Sequence, residues 1–323
     1  TRRPSHQNPT ATNRRFAKAR RLALKADGEL IPRRIGHLGP PGTHGEEALR
    51  AALGAAATNR TLVPLESNAA VVHAVEAGEI EAGFVPIENS FEGAVTETMD
   101  ALVHDAPNVK IVGEIIWPAH HCLIAKEEMP LDAIETVASH PQALAQCARF
   151  LQRALPGVEK LPDASTAGAV RQAIELGRPY ASSGSAIAAE IYGGRVLASE
   201  IENDAGNRTR FIWLAKASMP SELVGDGSAA RTSLVFSGFN DTSAGGLVSI
   251  LNEFAERDVN MSRIESRPER TSLGHYLFFV DLDGAEDDPT VAGAIEGVRA
   301  KVRQLRVLGS FNTEEARTAR LPL

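Results

Sequence analysis

Five consecutive residues in the second half of the chain, Asn207-Arg208-Thr209-Arg210-Phe211, combine groups that could act on a small polar molecule. They follow a polar turn that contains glycine and lead into the apolar stretch 211–215, which predicts a loop that enters a buried strand. A hydroxyl and two guanidinium groups would then lie where the strand begins, and such groups hydrogen-bond to polar or anionic ligands. The alternative is a surface turn whose side chains only satisfy local hydrogen bonds.

Similar turns recur upstream. Small, polar turns that contain Gly or Pro, or end in Ser or Thr, follow predicted strands and open helices around Thr43, Asn89, Ser139, Thr166 and Ser183. Open α/β sheets bind ligands at the carboxyl ends of their strands, where helix N-termini offer free N–H groups. The pattern therefore predicts a site for a small anion that contains few lysines or arginines.

Several other chemistries lack their motifs. No turn carries the glycine spacing of a dinucleotide fingerprint or the lysine of a P-loop. His120 and His121 are adjacent, so on a strand they face opposite ways, and no acidic residue or cysteine stands at ligand spacing. No strand-borne nucleophile elbow is present. We therefore predict an enzyme or binding protein with no cofactor and no metal.

Composition indicates a globular protein of two or three domains. The chain has 323 residues, 43% of them hydrophobic, and no run long enough to cross a membrane. Two cysteines are too few for a disulfide framework, and no apolar signal-peptide core follows the N-terminus. These features predict a cytoplasmic protein without a membrane partner.

Charge is distributed unevenly. Of the 34 basic and 41 acidic residues, ten basic and two acidic ones fall within residues 1–34, which leaves 24 basic and 39 acidic residues in the rest. The acidic body argues against nucleic acid as the main partner. The basic extension 1–34 could be a nucleic-acid arm or a transit peptide, but a solvated extension is the simplest interpretation.

Strands and helices alternate from Ile35 to about residue 218, which is typical of α/β folds. A continuous helix is predicted from Pro141 to Ala154, because proline is favoured at a first helical position. A small and polar linker, 219–230, follows. Residues 231–311 then show a β-α-β-β-α-β pattern, typical of a ferredoxin-like unit, and 312–323 form a tail.

Four ordered motifs resemble the prephenate dehydratase family joined to a regulatory ACT domain. They are Gly39-Pro40-Pro41-Gly42-Thr43, the run 85–90 with Glu92-Gly93, the run 139–142 with Gln146-Cys147, and Asn207 with Thr209-Arg210-Phe211. Any one alone would be weak evidence, but the resemblance extends over about residues 35–311.

The resemblance implies a catalytic domain, 35–218, with two lobes like a periplasmic binding protein. Lobe 1 is expected to hold about 35–112 and 200–218, and lobe 2 about 113–199. The active site would be the cleft between them, and the Thr209 turn would lie where the chain crosses back.

The implied reaction removes CO2 and hydroxide from prephenate and forms phenylpyruvate. Thr209 is the family's candidate for the donor that assists the leaving hydroxide. Glu88 is the alternative acid, unless it only caps the following helix. Arg210 could pair with a substrate carboxylate or equally with an acidic residue between the lobes. The expected substrate-binding residues are Thr43, Asn89, Ser90, Ser139, Gln142, Gln146, Thr166 and Arg210.

The resemblance also implies L-phenylalanine as an effector and a homodimer or homotetramer formed through the ACT domains. The expected effector-binding residues are Gly245, Gly246, Leu247, Val248, Glu265, Ser266, Arg267 and Pro268. The chain departs from the family at His44, at Arg208 and in the glycine turn 244–247. The first two departures could shift substrate preference, and the third could weaken binding of the effector.

Three alternatives stay open beside this interpretation. Arogenate dehydratases share the family and differ in the substrate side chain. A small-molecule sensor or an exported solute receptor could use the same two-lobed fold without chemistry. Chorismate mutase activity is often fused to this one, but residues 1–34 are too short for its helical bundle.

Overall fold

The computed structural model describes residues 33–217, 230–239, 244–270 and 274–313. Most of the basic extension, the predicted linker 219–230 except for Ala230, and the tail from residue 314 lie outside the described residues. The described part forms two α/β lobes and a C-terminal α+β domain, as predicted. No helix in these ranges is both long enough and apolar enough to cross a bilayer.

The first lobe is built on a mixed sheet in the order β2-β1-β3-β11-β5, with the short β4 paired to β3. The three strands β1, β2 and β3 are parallel, and β11 runs antiparallel between β3 and β5. Its elements are β1 (Arg34–Leu38), α1 (His44–Leu53), β2 (Thr61–Leu65), α2 (Asn68–Ala77), β3 (Ala82–Asn89), β4 (Gly93–Ala94), α3 (Thr96–His104), β5 (Val109–Pro118) and, later in the chain, β11 (Arg208–Lys216).

Local chemistry sets the ends of these helices. The Thr43 hydroxyl accepts a hydrogen bond from Glu46 N and so caps α1, and Ser67 caps α2 in the same way. Gly78 ends α2 with a φ of 78°, a left-handed conformation that favours glycine. These caps fix where the turns after β1 and β2 point.

The second lobe holds a sheet in the order β10-β6-β9-β7-β8. Its elements are β6 (Cys122–Ala125), β7 (Thr136–Ser139), α4 (Pro141–Gln146), α5 (Ala148–Ala154), β8 (Glu159–Pro162), α6 (Thr166–Leu176), β9 (Tyr180–Gly184), α7 (Ala186–Tyr192) and β10 (Arg195–Ala198). The short strands β4, β8 and β10 were not predicted from the sequence.

The helix predicted over 141–154 is broken at Cys147, which has φ −102° and ψ 6°. The side chain of Asn203 hydrogen-bonds to the backbone on both sides of the break. Its Nδ2 donates to Ala145 O, and its Oδ1 accepts from Arg149 N. A polar group that inserts into the helical hydrogen bonds is a usual cause of a break. The partner is more than 50 residues away, so the local pattern gave no sign of it.

The chain enters the second lobe later than predicted. Residues 113–118, which the sequence assigned to lobe 2, continue β5 and pair with β11 as far as Pro118 and Arg208. The crossing therefore lies at 119–121, and the return lies at about 199–207. The longer strand carries Glu114 and Trp117 on the first sheet, next to β11.

The C-terminal domain has an antiparallel sheet in the order β13-β14-β12-β15, which is the ferredoxin-like arrangement. Its elements are β12 (Ala230–Ser237), α8 (Gly246–Ala255), β13 (Met261–Pro268), β14 (Tyr276–Asp283), α9 (Pro289–Arg299) and β15 (Gln304–Asn312). One face of the sheet packs under α8 and α9.

The opposite face of this sheet packs on the first lobe. Val235, Phe279 and Leu308 join the same apolar cluster as Leu102 and Ile111 of the first lobe. The backbones come so close that a Cβ added to Gly309 would lie 2.0 Å from the Ile111 carbonyl oxygen. Only glycine permits this approach. The first lobe and the C-terminal domain are therefore packed directly against each other.

Candidate active site

Thr209 and Asn89 form the centre of the candidate site. They lie opposite each other on β11 and β3. The Asn89 side-chain amide donates to Thr209 Oγ1 at 2.9 Å, to Asn207 Oδ1 at 2.7 Å and to the Arg208 carbonyl at 3.2 Å. Its oxygen accepts from the backbone of Phe91 and Glu92. Asn89 therefore holds the turn after β3 against the start of β11.

The network continues into the second lobe through Gln146 at the end of α4. Asn207 Nδ2 donates to Gln146 Oε1 at 3.3 Å, and His121 Nε2 lies 3.0 Å from the same oxygen. An amide oxygen only accepts, so His121 donates to it through Nε2. The chain Thr209, Asn89, Asn207 and Gln146 thus joins the two lobes.

A cleft of about 400 Å³ opens beside this network. Both lobes and the return segment contribute to its walls, which are lined by Phe91, Glu92, Gln142, Ala145, Gln146, Glu202, Asn203, Asp204 and Asn207. The predicted substrate residues Gln142 and Gln146 lie here, and Asn89 and Thr209 connect to it through Asn207. This volume suits one small molecule.

His121 is buried within the site at 3% exposure. Burial lowers its pKa to about 4, and the nearby His44 ring, whose centroid is 4.8 Å away edge-to-face, contributes in the same direction. Its Nδ1 has no hydrogen-bond partner among the described residues. The sequence drew attention to His121 only to reject a metal site, so its contact with Gln146 was missed.

Glu202 places an acidic group on the return segment. Burial raises the pKa of its carboxyl, but hydrogen bonds from His120 at 2.7 Å and His121 N at 2.9 Å outweigh burial, and the pKa is lowered. The same hydrogen bond raises the pKa of His120. Sequence reasoning did not single out Glu202, because nothing local marks it.

Other predicted substrate residues have local partners. Thr43 caps α1 and donates to the Leu38 carbonyl at 3.1 Å. Ser90 donates to Gly206 O and accepts from Arg208 N, so it fastens the two turns together. Ser139 is buried and donates to Ser183 O at 2.6 Å. Thr166 begins α6, whose cap is the preceding serine.

Arg210 lies on the face of the first sheet opposite the cleft. Its Nε donates to Glu114 at 2.6 Å and its Nη1 donates to Asp281 of the C-terminal domain at 2.5 Å. Burial lowers the pKa of its guanidinium, but Asp281 and Glu114 outweigh burial and raise it. Of the two predicted partners, the structure shows acidic residues, although these lie between the first lobe and the C-terminal domain rather than between the lobes.

Glu88 shares this face, because neighbouring residues of a strand alternate. Its carboxylate lies 3.6 Å from Arg210 Nη1 and 3.5 Å from Arg263 Nε. Asn89, the next residue, faces the cleft network. In this arrangement Glu88 and Thr209 therefore point to different sides of the sheet.

The predicted effector residues belong to α8 and β13. Gly245 has a φ of 86°, and α8 begins at Gly246 and carries Leu247 and Val248, the latter 59% exposed. Glu265, Ser266, Arg267 and Pro268 lie on β13, at one edge of the sheet. Arg267 also reaches the first lobe, where its Nη2 lies 2.8 Å from Asp100 on α3.

Comparison with known proteins decides the family. The family model described as prephenate dehydratase matches residues 35–219. The chain belongs to this family. A second model, the ACT domain, matches residues 236–300, so the C-terminal domain is an ACT domain.

Similar proteins cover most of the chain. The prephenate dehydratase of Amycolatopsis methanolica is 37% identical over 278 residues, which cover 86% of this chain and 88% of that protein. The crystal structure of prephenate dehydratase in complex with L-Phe from Arthrobacter aurescens is 36% identical, has a TM-score of 0.77, and is matched over 86% of this chain and 90% of that one. GqqA, described as a novel type of quorum quenching acylases, is 28% identical with a TM-score of 0.77, over 87% of this chain and 98% of its own.

Proposed function

We propose that this protein converts prephenate to phenylpyruvate, and that the Thr209–Asn89 pair at the cleft is central to the reaction. Prephenate takes up one proton and releases CO2 and water as its ring becomes aromatic. The enzyme's main tasks are therefore to position the substrate and to help hydroxide leave. The single observation that carries the proposal is a hydroxyl held beside an interlobe cleft by an asparagine.

Thr209 supplies the hydrogen-bond donor for the leaving hydroxide. Its Oγ1 accepts from Asn89 Nδ2, which orients the oxygen and leaves the hydroxyl proton for another acceptor. A threonine hydroxyl is a weak acid, so it acts as a placed hydrogen bond that strengthens as charge develops on the leaving oxygen. The opposite orientation of Glu88, toward Arg210 and Arg263, favours Thr209 over Glu88 in this role.

The neutral character of the network suits the loss of CO2. Asn89, Asn207 and Gln146 offer amide groups, and the guanidinium of Arg210 faces the other side of the sheet. A strong cationic partner would stabilise the ring carboxylate in the substrate more than in the transition state, in which it becomes CO2. Gln142 and Gln146 on the cleft wall would then orient the substrate.

The acylase activity named for one structural neighbour finds no cysteine nucleophile in the described residues of this chain. Amide hydrolysis through a covalent intermediate needs an activated nucleophile. Burial raises the pKa of Cys122 to about 11 and that of Cys147 to about 12, so both thiols stay protonated at neutral pH.

Two buried free cysteines also support a reducing, cytoplasmic location.

A spectroscopic assay tests the proposal. Purified protein is mixed with prephenate, and phenylpyruvate is followed by its absorbance in alkali; a parallel reaction with arogenate is analysed for phenylalanine. We expect prephenate to give the higher kcat/KM. Turnover of arogenate alone would make the protein an arogenate dehydratase, and turnover of neither substrate would refute the proposed reaction.

We further propose that L-phenylalanine regulates the enzyme through paired ACT domains. The exposed apolar side chains of Val248, Ile264 and Tyr276 support pairing with a second copy. Coupling between sites is typically about 1–3 kcal/mol, so inhibition of roughly 5- to 150-fold is expected.

Titration of phenylalanine against activity and against thermal midpoint tests this regulation. Gly245→Val is the control, because a valine at φ 86° is strained and blocks the turn. Sedimentation gives the oligomeric state. If millimolar phenylalanine changes neither quantity, the regulatory proposal fails and the catalytic one stands.

A further inference from the structure

A buried group of charges joins the start of β11 to the ACT domain. Arg210 is 8% exposed, and the side chains of Glu114 and Asp281 are 2% and 4% exposed. Glu114 also accepts from Arg231 at 2.5 Å, and Asp281 accepts from Ser233 at 2.5 Å. Arg231, Ser233 and Asp281 come from the ACT domain, so the group spans two domains.

Thr209 and Arg210 are consecutive residues on opposite faces of one strand. Thr209 is hydrogen-bonded on the cleft side, and Arg210 is ion-paired on the ACT side. The two residues share one stretch of strand backbone, so a displacement of that backbone at Arg210 would also displace Thr209. The regulatory domain thereby reaches within one residue of the proposed donor.

The pairing between β11 and β3 is irregular next to Arg210. Between β3 and β11 the register shifts: Arg210 lies opposite Glu88, but Phe211 lies opposite Pro86. Such a bulge leaves the ladder locally unpaired, and proline has no N–H to donate. The Arg210 side chain therefore supplies an anchor where backbone pairing is interrupted.

Three acidic side chains surround Arg210: Glu114 and Asp281 are hydrogen-bonded to it, and Glu88 lies 3.6 Å away. Among the described residues its Nη2 has no hydrogen-bond partner, so Nε and Nη1 carry its contacts. The other carboxylate oxygen of Glu114 accepts a hydrogen bond from Arg231. Asp281 is the hydrogen-bonded partner of Arg210 that comes from the ACT domain.

We propose that Asp281 of the ACT domain is a positioning residue for the dehydration, which acts through Arg210 to place the Thr209 hydroxyl. This inference rests on the proposed function. It implies that the ACT domain contributes to basal catalysis and not only to the response to phenylalanine.

The test compares Asp281→Asn with a matched control, Asp100→Asn. Ser233 and Arg210 donate to different oxygens of Asp281, and an amide keeps only one oxygen, so in the first variant one of these donors faces an NH2 group. Asp100 also bridges the two domains, through Arg267 and Arg270 of the ACT domain, but it does not touch β11. Both variants remove one interdomain carboxylate.

For Asp281→Asn we expect kcat to fall roughly 10- to 100-fold with KM within about twofold, because small displacements of a reacting group are costly. For Asp100→Asn we expect both constants within about twofold. An unchanged kcat in Asp281→Asn, or an equal loss in Asp100→Asn, would overturn the proposal. Should Asp281→Asn fail to fold, Ser233→Ala removes only one contact of Asp281 and is expected to lower kcat roughly twofold to fivefold.

A second readout needs no substrate. The chain has two tryptophans, of which Trp117 lies opposite Thr209 on β5 and Trp213 lies on β11 itself. Asp281→Asn should change their emission and speed amide exchange at 208–210, whereas Asp100→Asn should do neither. If wild-type protein does not convert prephenate, the proposed function fails, but unchanged exchange at 208–210 in Asp281→Asn would separately refute the positioning role.

Discussion

Replacement of Thr209 by valine separates chemistry from stability. Valine keeps the branched shape of threonine and removes the hydroxyl. In the folded protein, Asn89 Nδ2 retains Asn207 Oδ1 at 2.7 Å and Arg208 O at 3.2 Å, so both of its protons stay paired after the substitution. The expected loss in unfolding free energy is therefore only about 1 kcal/mol, the usual net value of one hydrogen bond.

The effect on catalysis should be far larger. Removal of one preorganised donor typically costs about 10²–10³ in kcat, or about 3–4 kcal/mol in the barrier. Because the hydroxyl is needed most as charge develops, KM should change little. The assay is phenylpyruvate formation at saturating prephenate, with thermal unfolding of the same sample to measure stability.

Thr209→Ser is the matched control, because it keeps the donor and loses a methyl group. We expect it to retain kcat within about tenfold. Wild-type kcat in Thr209→Val would refute the role of Thr209. A serine variant as inactive as the valine one would show that packing, and not the hydroxyl, matters at this position.

Three further predictions concern the network and the domain interface. Asn89→Ala should lower kcat/KM and destabilise the turn after β3, because five hydrogen bonds converge on this side chain; steady-state kinetics and circular dichroism check both effects. His121 has a pKa of about 4 when folded, below its unfolded value of about 6.5, so the unfolded state binds the extra proton and about 3 kcal/mol of stability is lost as pH falls from 6.5 to 4; His121→Gln should flatten that slope in pH-dependent denaturant titrations. Arg306 donates to the carbonyls of residues 102, 106 and 109, so Arg306→Ala should lower the thermal midpoint by several degrees without an equivalent loss of kcat.

The sequence predicted the parts of the fold that depend on local pattern. Alternating strands and helices, the proline that opens α4 and the ferredoxin-like order of residues 231–311 all follow from nearby residues, and the structure confirms them. The family resemblance assigned Asn89 and Thr209 to one active site, and in the structure their side chains are hydrogen-bonded. Which of these residues bind substrate stays a prediction.

Features that depend on distant partners could not be predicted in this way. The helix break at Cys147 is due to Asn203, and the ion-pair partner of Arg210 is Asp281, which is 71 residues further along the chain. From the sequence, His121 had no role once a metal site was rejected, and its contact with Gln146 is visible only in the structure. Each case needs a contact between elements that sequence periodicity does not pair.

The apolar cluster shared by the first lobe and the ACT domain bears on how the protein comes apart. Val71, Leu102 and Ile212 of the first lobe pack in the same cluster as Phe279 and Leu308 of the ACT domain, whereas the second lobe has clusters of its own. Cooperative units follow shared cores rather than the order of domains along the chain. Calorimetry should therefore resolve the catalytic domain into two units, one of which melts together with the ACT domain. A chain truncated before residue 230 would lack one side of that core and should be prone to aggregation.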